Sequence, residues 1–219
     1  MKKIISLLII SVLTIHSYAQ DSVSIGKTEY RKGNQQDFRS LVREGNRQYN
    51  AGKAVDAETS YRGALAVDEK SNLATFNLGN AMYRQQKHEE AGKEFEKAAA
   101  ASTDKMDKAR AYHNLGNSYL KQQKIKESVE AYKQALRHNP NDYETKYNLS
   151  YALNMLKQKE QQQKQDEELN KILEQAKKLV AQRKYREAYN LMKDSEKIHP
   201  ELMQYADFTN RILDIIKMN

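Results

Sequence analysis

An all-α solenoid of stacked helix-turn-helix hairpins is the fold this sequence predicts. The first observation is a column of small residues, Gly45, Gly79, Gly116 and Ser150, spaced 34, 37 and 34 apart. The second is that three more columns keep the same register: Ala57, Ala91 and Ser128; Tyr61, Phe95 and Tyr132; Ala64, Ala98 and Ala135. A period near 34 residues describes a hairpin too small to bury its apolar face alone, which must stack on its neighbours. The third is composition: 30% charged, 8% aromatic, no Trp, and few Gly or Pro. That balance suits exposed helix faces over a narrow buried seam.

Residues 1–19 come before the array and read as a signal peptide. Lys2 and Lys3 precede an apolar run from Ile4 to Ile15, and Ser17-Tyr18-Ala19 puts small residues where a signal peptidase reads, so cleavage is expected before Gln20. The run is about half the roughly 20 residues that a bilayer core demands. Without any cysteine, a lipid-modified cysteine, a disulfide framework and thiolate metal sites are all excluded. The mature chain is therefore expected to be exported, with no membrane span. Residues 20–36 lack helical periodicity and read as a flexible tether.

Residues 37–156 hold three repeats and a fourth forward helix. The repeats start near Phe38, Asn72 and Ala109, and the three extra residues between the second and third fall in a polar connector, Ser102 to Lys108. Helices crossing closely need Gly or Ala at the contact, and Gly79 with Ala91 is such a pair. The rings of Tyr61, Phe95 and Tyr132 then fill the wedge between one hairpin and the next. Pro140 and Pro200, the only prolines, each follow a helical pattern they would stop. The fourth forward helix, Tyr143 to about Leu156, carries Tyr147, Leu149 and Ser150 in register, but no return helix follows it directly.

Residues 157–168, KQKEQQQKQDEE, contain no apolar side chain, so they continue the helix in solvent or form a linker; good helix formers and the pair Glu160 and Lys164 favour the helix. In residues 169–219 the pattern returns in degenerate form. Ala176 and Leu179 fit a forward helix, and Tyr185, Ala188, Met192 and Pro200 a return helix and its terminator. A last apolar helix, Leu202 to Lys217, serves as a cap or as a docking element.

The runs NLGNAMYRQQKHEEAGKEFEKAA (77–99) and NLGNSYLKQQKIKESVEAYKQALRHNP (114–140) closely resemble the tetratricopeptide (TPR) repeat. The resemblance implies a right-handed superhelix whose forward helices line a concave groove. In that register the inward residues include Asn46, Asn77, Asn80, Arg84, Arg110, Asn114, Asn117, Lys121 and Asn148, and the side chains of Asn80, Arg110, Asn117 and Lys121 are expected to point into solvent. An amide offers donor and acceptor together, so an Asn ladder pairs with an extended peptide backbone, while Arg84, Arg110 and Lys121 hold carboxylates. The alternative is that the Asn columns simply solvate the helices. TPR domains that clamp a terminal carboxylate use two Lys or Arg with several Asn. Asn46, Asn77 and Arg110 match that arrangement, whereas Val42 and Asn114 stand where the clamp has basic residues.

Nothing in the sequence points to catalysis, a cofactor or a metal. His88, His113, His138 and His199 form no ligand-spaced pair, and there is no nucleophile elbow, phosphate-cradling Gly loop or dinucleotide fingerprint. His113 is the one histidine that the register aims into the groove. Loss of Lys2 and Lys3 with the leader lowers the net charge from +8 to +6, spread among acids, which argues against nucleic acid. An acidic peptide, protein or membrane surface fits better.

A narrower resemblance spans residues 38–165. The run VREGNRQYNAGKAVDAETSYRGALAVDEKS (42–71), the NLGN repeats, ALRHNPNDYETKYNLSYAL (135–153) and the Gln/Lys-rich run are similar to the periplasmic TPR proteins of Bacteroides aerotolerance (Bat) operons. The leader ending in Ala-Gln is similar to those of the same phylum, Bacteroidetes. That resemblance implies a periplasmic scaffold in a cell-envelope complex with membrane-bound Bat proteins carrying von Willebrand A-type domains, linked to oxygen or oxidative-stress tolerance. A different class, an envelope accessory binding acidic lipid or polysaccharide through its basic surface, is the alternative.

Overall fold

The structure, a computed structural model, describes residues 38–218. The expected signal peptide and tether lie outside the described residues. Nine α-helices and one 3-10 turn follow in order: α1 Phe38–Asn50, α2 Ala54–Val67, α3 Asn72–Arg84, α4 His88–Ala101, α5 Lys105–Lys121, α6 Ile125–His138, α7 Tyr143–Ala181, α8 Tyr185–Glu196, the turn Pro200–Tyr205, and α9 Ala206–Met218. Among the described residues there is no strand, and no helix is long and apolar enough to cross a membrane. The chain divides into two compact units, one up to Leu153 and one from Asn154.

In the first unit the hairpins α1/α2, α3/α4 and α5/α6 stack in sequence, and the start of α7 follows as a fourth forward helix. Polar caps set three of the helix starts. Ser71 Oγ accepts from Ala74 N, Asp104 Oδ1 from Asp107 N and Asp142 Oδ1 from Thr145 N, each satisfying an amide with no intrahelical partner. Each hairpin turns at one register position in the left-handed region: Gly52 at φ 82°, Gln86 at 63°, Gln123 at 60°. Forward helices end in a tie to the preceding hairpin, since Gln85 Nε2 donates to Ala54 O and Gln122 Nε2 to His88 O.

The glycine column has a partner other than the expected one. A Cβ on Gly45, Gly79 or Gly116 would stand 2.5, 2.7 or 2.5 Å from Cε1 of Tyr61, Phe95 or Tyr132, the aromatic sixteen residues on in the same hairpin. The rings thus lie on their own glycines, and Gly79 is small because of Phe95, where the sequence suggests Ala91. Each ring also reaches the neighbouring repeat. Tyr61 and Phe95 share a core with Leu78, Met82, Leu115 and Ala131, and Tyr132 packs with Ala152 and Leu149 of α7. Ser150, fourth in the column, is exposed because no return helix lays a ring on it.

The connector between repeats two and three is also shorter than expected. Helix α5 starts at Lys105, not near Ala109, because Asp104 caps it there. Most of the insertion thus becomes an added turn of helix. Residues 157–168 lie within α7, fully exposed, with Gln162 Nε2 donating to Asp166 Oδ1.

In the second unit, Leu169, Leu173 and Ala176 of α7 form a core with Met192 of α8 and Leu202. The hairpin turn at Arg183 repeats the left-handed φ, 60°. Ala176 and Met192, both buried, occupy the register of glycine and aromatic, and the larger small residue is matched by a flexible, unbranched partner. The expected helix Leu202 to Lys217 is instead a 3-10 turn from Pro200 to Tyr205 followed by α9. Proline, lacking an N–H, opens the turn, and Leu202 N closes it on His199 O. Helix α9 packs on α8, burying Thr209 and Ile212.

Candidate binding groove

Forward helices pack directly on one another, α1 on α3 and α3 on α5, and the polar side chains on this side join across the repeats. Asn77 Nδ2 donates to Asn46 Oδ1 at 3.1 Å, Asn114 Nδ2 to Asn80 Oδ1 at 2.8 Å, and Asn148 Nδ2 to Asn117 Oδ1 at 3.2 Å. Two tyrosines add a second bond from beneath: Tyr61 OH donates to Asn46 Oδ1 and Tyr132 OH to Asn117 Oδ1. Burial pushes both phenols up to about 12, so they remain donors throughout the physiological range. Phe95 has no hydroxyl, so Asn80 keeps the bond from Asn114 but gains no second one from beneath.

The six predicted asparagines are therefore brought together in pairs, but not as free side chains. The amides already bond each other, leaving Nδ2 of Asn46, Asn80 and Asn117 and Oδ1 of Asn77, Asn114 and Asn148 for a ligand. Asn117 also satisfies a phenol whose ring is fully buried, which corrects the expectation that it merely faces solvent. Arg84 is exposed, donates to Tyr49 O at 2.6 Å and lies 5.0 Å above the Tyr49 ring. Arg110, also exposed, pairs with Asp107 in the added turn of α5. Lys121 is exposed. Burial, aided by the Lys121 charge, lowers the pKa of His88. Val42, at a clamp position, is buried with Leu41, Ala64 and Ala74 and lies out of the groove.

His113 is a structural joint. Its Nδ1 lies 2.6 Å from Thr145 Oγ1, and that buried hydroxyl donates to Asp142 Oδ2, so it accepts from the imidazole N–H. The ring also packs edge-on against Tyr132. The cap of α7 is thereby tied to α5.

Two features of this side are not evident from the residues named in the sequence reading. A cavity of about 350 Å³ opens between α3 and α5, with Leu73, Phe76 and Ala98 as apolar wall and Asn77, Arg110 and Asp107 as polar wall. Charge is also segregated by helix type. Helices α1, α3 and α5 carry eight Lys or Arg and two Asp or Glu, whereas α2, α4 and α6 carry six and eight. Counting charge by repeat register, rather than over the whole chain, would have found it.

Residues 70–141 match the family model described as tetratricopeptide repeat. The fold is a TPR solenoid. The first TPR domain of Spaghetti (RPAP3), bound to the HSP90 peptide SRMEEVD, is similar at 24% identity and a TM-score of 0.52, over 56% of this chain and 95% of that one. The TPR domain of Sgt2 from Aspergillus fumigatus matches at 20% and 0.53, over 58% and 83%. The TPR2AB domain of yeast Sti1, in a pHSP90 complex, matches at 20% and 0.55, over 75% and 65%. At these identities the likeness is one of fold. Among curated proteins none matches this sequence.

Proposed function

We propose that this chain is an exported, non-catalytic TPR scaffold whose forward-helix groove holds an extended acidic segment of a partner protein in the cell envelope. The observation that carries the reading is the charge segregation. The forward helices that line the groove carry eight basic and two acidic residues while the return helices carry six and eight, so the field favours a carboxylate-rich ligand on the forward-helix side. The amide ladder supplies donors and acceptors for its backbone, as TPR neighbours in complex with HSP90 peptides also support. Export and a place in a Bat-type complex rest on the leader and on the run from 38 to 165. A mature N-terminus at Gln20 in periplasmic contents is the expected result of sequencing, and full-length cytosolic protein would refute it.

Replacing Arg84, Arg110 and Lys121 together by Ala tests the groove while sparing the structural amides. Each charge-assisted contact is worth about 1.5–3 kcal/mol, so losing two or more weakens an acidic peptide on the order of 100-fold. All three side chains are exposed, so melting should change little. Undiminished peptide binding, or salt-sensitive binding to anionic lipid without peptide selectivity, would move the function to the outer surface.

A further inference from the structure

The asparagine column does not run the length of the groove. Asn46, Asn80 and Asn117 are followed, 34 residues on, by Tyr151, and the column Val42, Phe76 and His113 is followed by Tyr147. Both rings stand on α7 beside Asn148, the last rung of the ladder, and they are 52% and 73% exposed. They sit at i and i+4 on one helix face, close enough for both rings to flank one side chain. Charge changes sign at the same place. Glu144, 77% exposed, follows Arg110 in the repeat register, where α3 and α5 offer Arg84, Arg110 and Lys121, while Lys146 follows Tyr112 and lies over the Tyr143 ring. Carboxylates are thus favoured over α3 and α5 and repelled over α7, where a large exposed apolar area takes over.

Building on the groove reading, we infer that Tyr147 and Tyr151 form an apolar anchor site, so that the ligand is an extended segment with acidic residues followed or preceded by one leucine, isoleucine or phenylalanine. Neighbouring helix axes lie about 8–10 Å apart and an extended chain advances about 3.3 Å per residue, which separates the nearest acid from the anchor by roughly three residues. The charge pattern selects this occupant. A wholly apolar segment would leave the basic stretch unpaired, and a wholly acidic one would meet Glu144.

The test uses the mature full-length chain and two fluorescein-labelled peptides, each with a four-Glu run, one carrying Leu three residues away on both sides of it and the other Ser at both positions. Fluorescence anisotropy should give the Leu peptide an affinity higher on the order of 10-fold. In the variant Tyr147→Ser with Tyr151→Ser, the Leu peptide should fall to the level of the Ser peptide, whose own affinity stays unchanged. Equal affinity of both peptides for the wild-type chain, or an equal loss of both in the variant, overturns the anchor but leaves the groove reading standing. Binding of neither peptide overturns both. A wild-type dimer in sedimentation that the variant turns into a monomer would assign the tyrosine face to a second copy and also overturn the anchor.

Discussion

The ring of Phe95 lies where a Cβ on Gly79 would stand, its Cε1 2.7 Å from that point, while thirteen residues further on Gly92 has only ordinary contacts, 3.7 Å to Leu115, Ser118 and Gln122. Two helical glycines of one hairpin are therefore predicted to respond with opposite sign. Gly79→Ala forces a buried ring to move, an overpacking that costs about 1–3 kcal/mol against a helix-propensity gain near 1. Gly92→Ala keeps the gain and adds contact, raising stability by about 0.5–1 kcal/mol. Thermal or urea melts of the two variants check this; a stabilised Gly79→Ala would place the ring elsewhere.

Ser128 is predicted to be a weak point of its repeat. It occupies the column of Ala57 and Ala91, is fully buried, and its Oγ has no hydrogen-bond partner. A buried hydroxyl left unpaired costs about 1–3 kcal/mol, so Ser128→Ala should stabilise the chain by about 1 kcal/mol. A lower midpoint in denaturant would mean that the hydroxyl is bonded in solution.

Glu58 supplies the acid limb of stability. Its largest single influence is burial, which raises the pKa, but hydrogen bonds from Lys87, Arg62 and Gln85 together outweigh it and hold the carboxyl down at about 2. A carboxyl depressed on folding contributes fully above its unfolded value, 4.5, and loses that contribution as pH falls toward about 2. Arg62 and Lys87 are half exposed, so screening limits the contribution to about 1–2 kcal/mol. Glu58→Gln should therefore melt lower at pH 6 and converge with the wild-type chain between pH 4.5 and 2. Parallel melting curves over that window would remove Glu58 from the account.

The repeat period, the glycine and aromatic columns and the inward asparagines were all legible in the sequence because each rests on a fixed spacing. Their pairings were not. Gly79 meets Phe95 only once the hairpin closes, and Asn114 finds Asn80 only when two repeats stack; neither distance is a property of one helix. The start of α5 is also written in the sequence, since Asp104 three residues before Asp107 is a cap signal, but it sits inside what composition marks as a polar connector. The charge segregation was hidden for another reason. Net charge averages over helix faces, and α1, α3 and α5 differ from α2, α4 and α6 only when sorted by register.

The added turn of α5 also places a competitor in the groove. Asp107 pairs with Arg110 at the mouth of the cavity that Asn77 and Phe76 line, so a ligand carboxylate must displace a carboxylate already there. Both partners are solvent-exposed to a large degree, 45% and 66%, which keeps such a pair within about 0–1 kcal/mol. Asp107→Asn should accordingly tighten an acidic peptide by up to about fivefold, while loss of a favourable charge in the first turn lowers helix stability by about 0.3–1 kcal/mol. The gain must run through Arg110, so it should vanish when Asp107→Asn is made together with Arg110→Ala, a coupling that a double-mutant cycle reads directly. A gain that survives without Arg110 would be a change of general field. Weaker binding in Asp107→Asn would mean that the aspartate holds the guanidinium in place for the ligand.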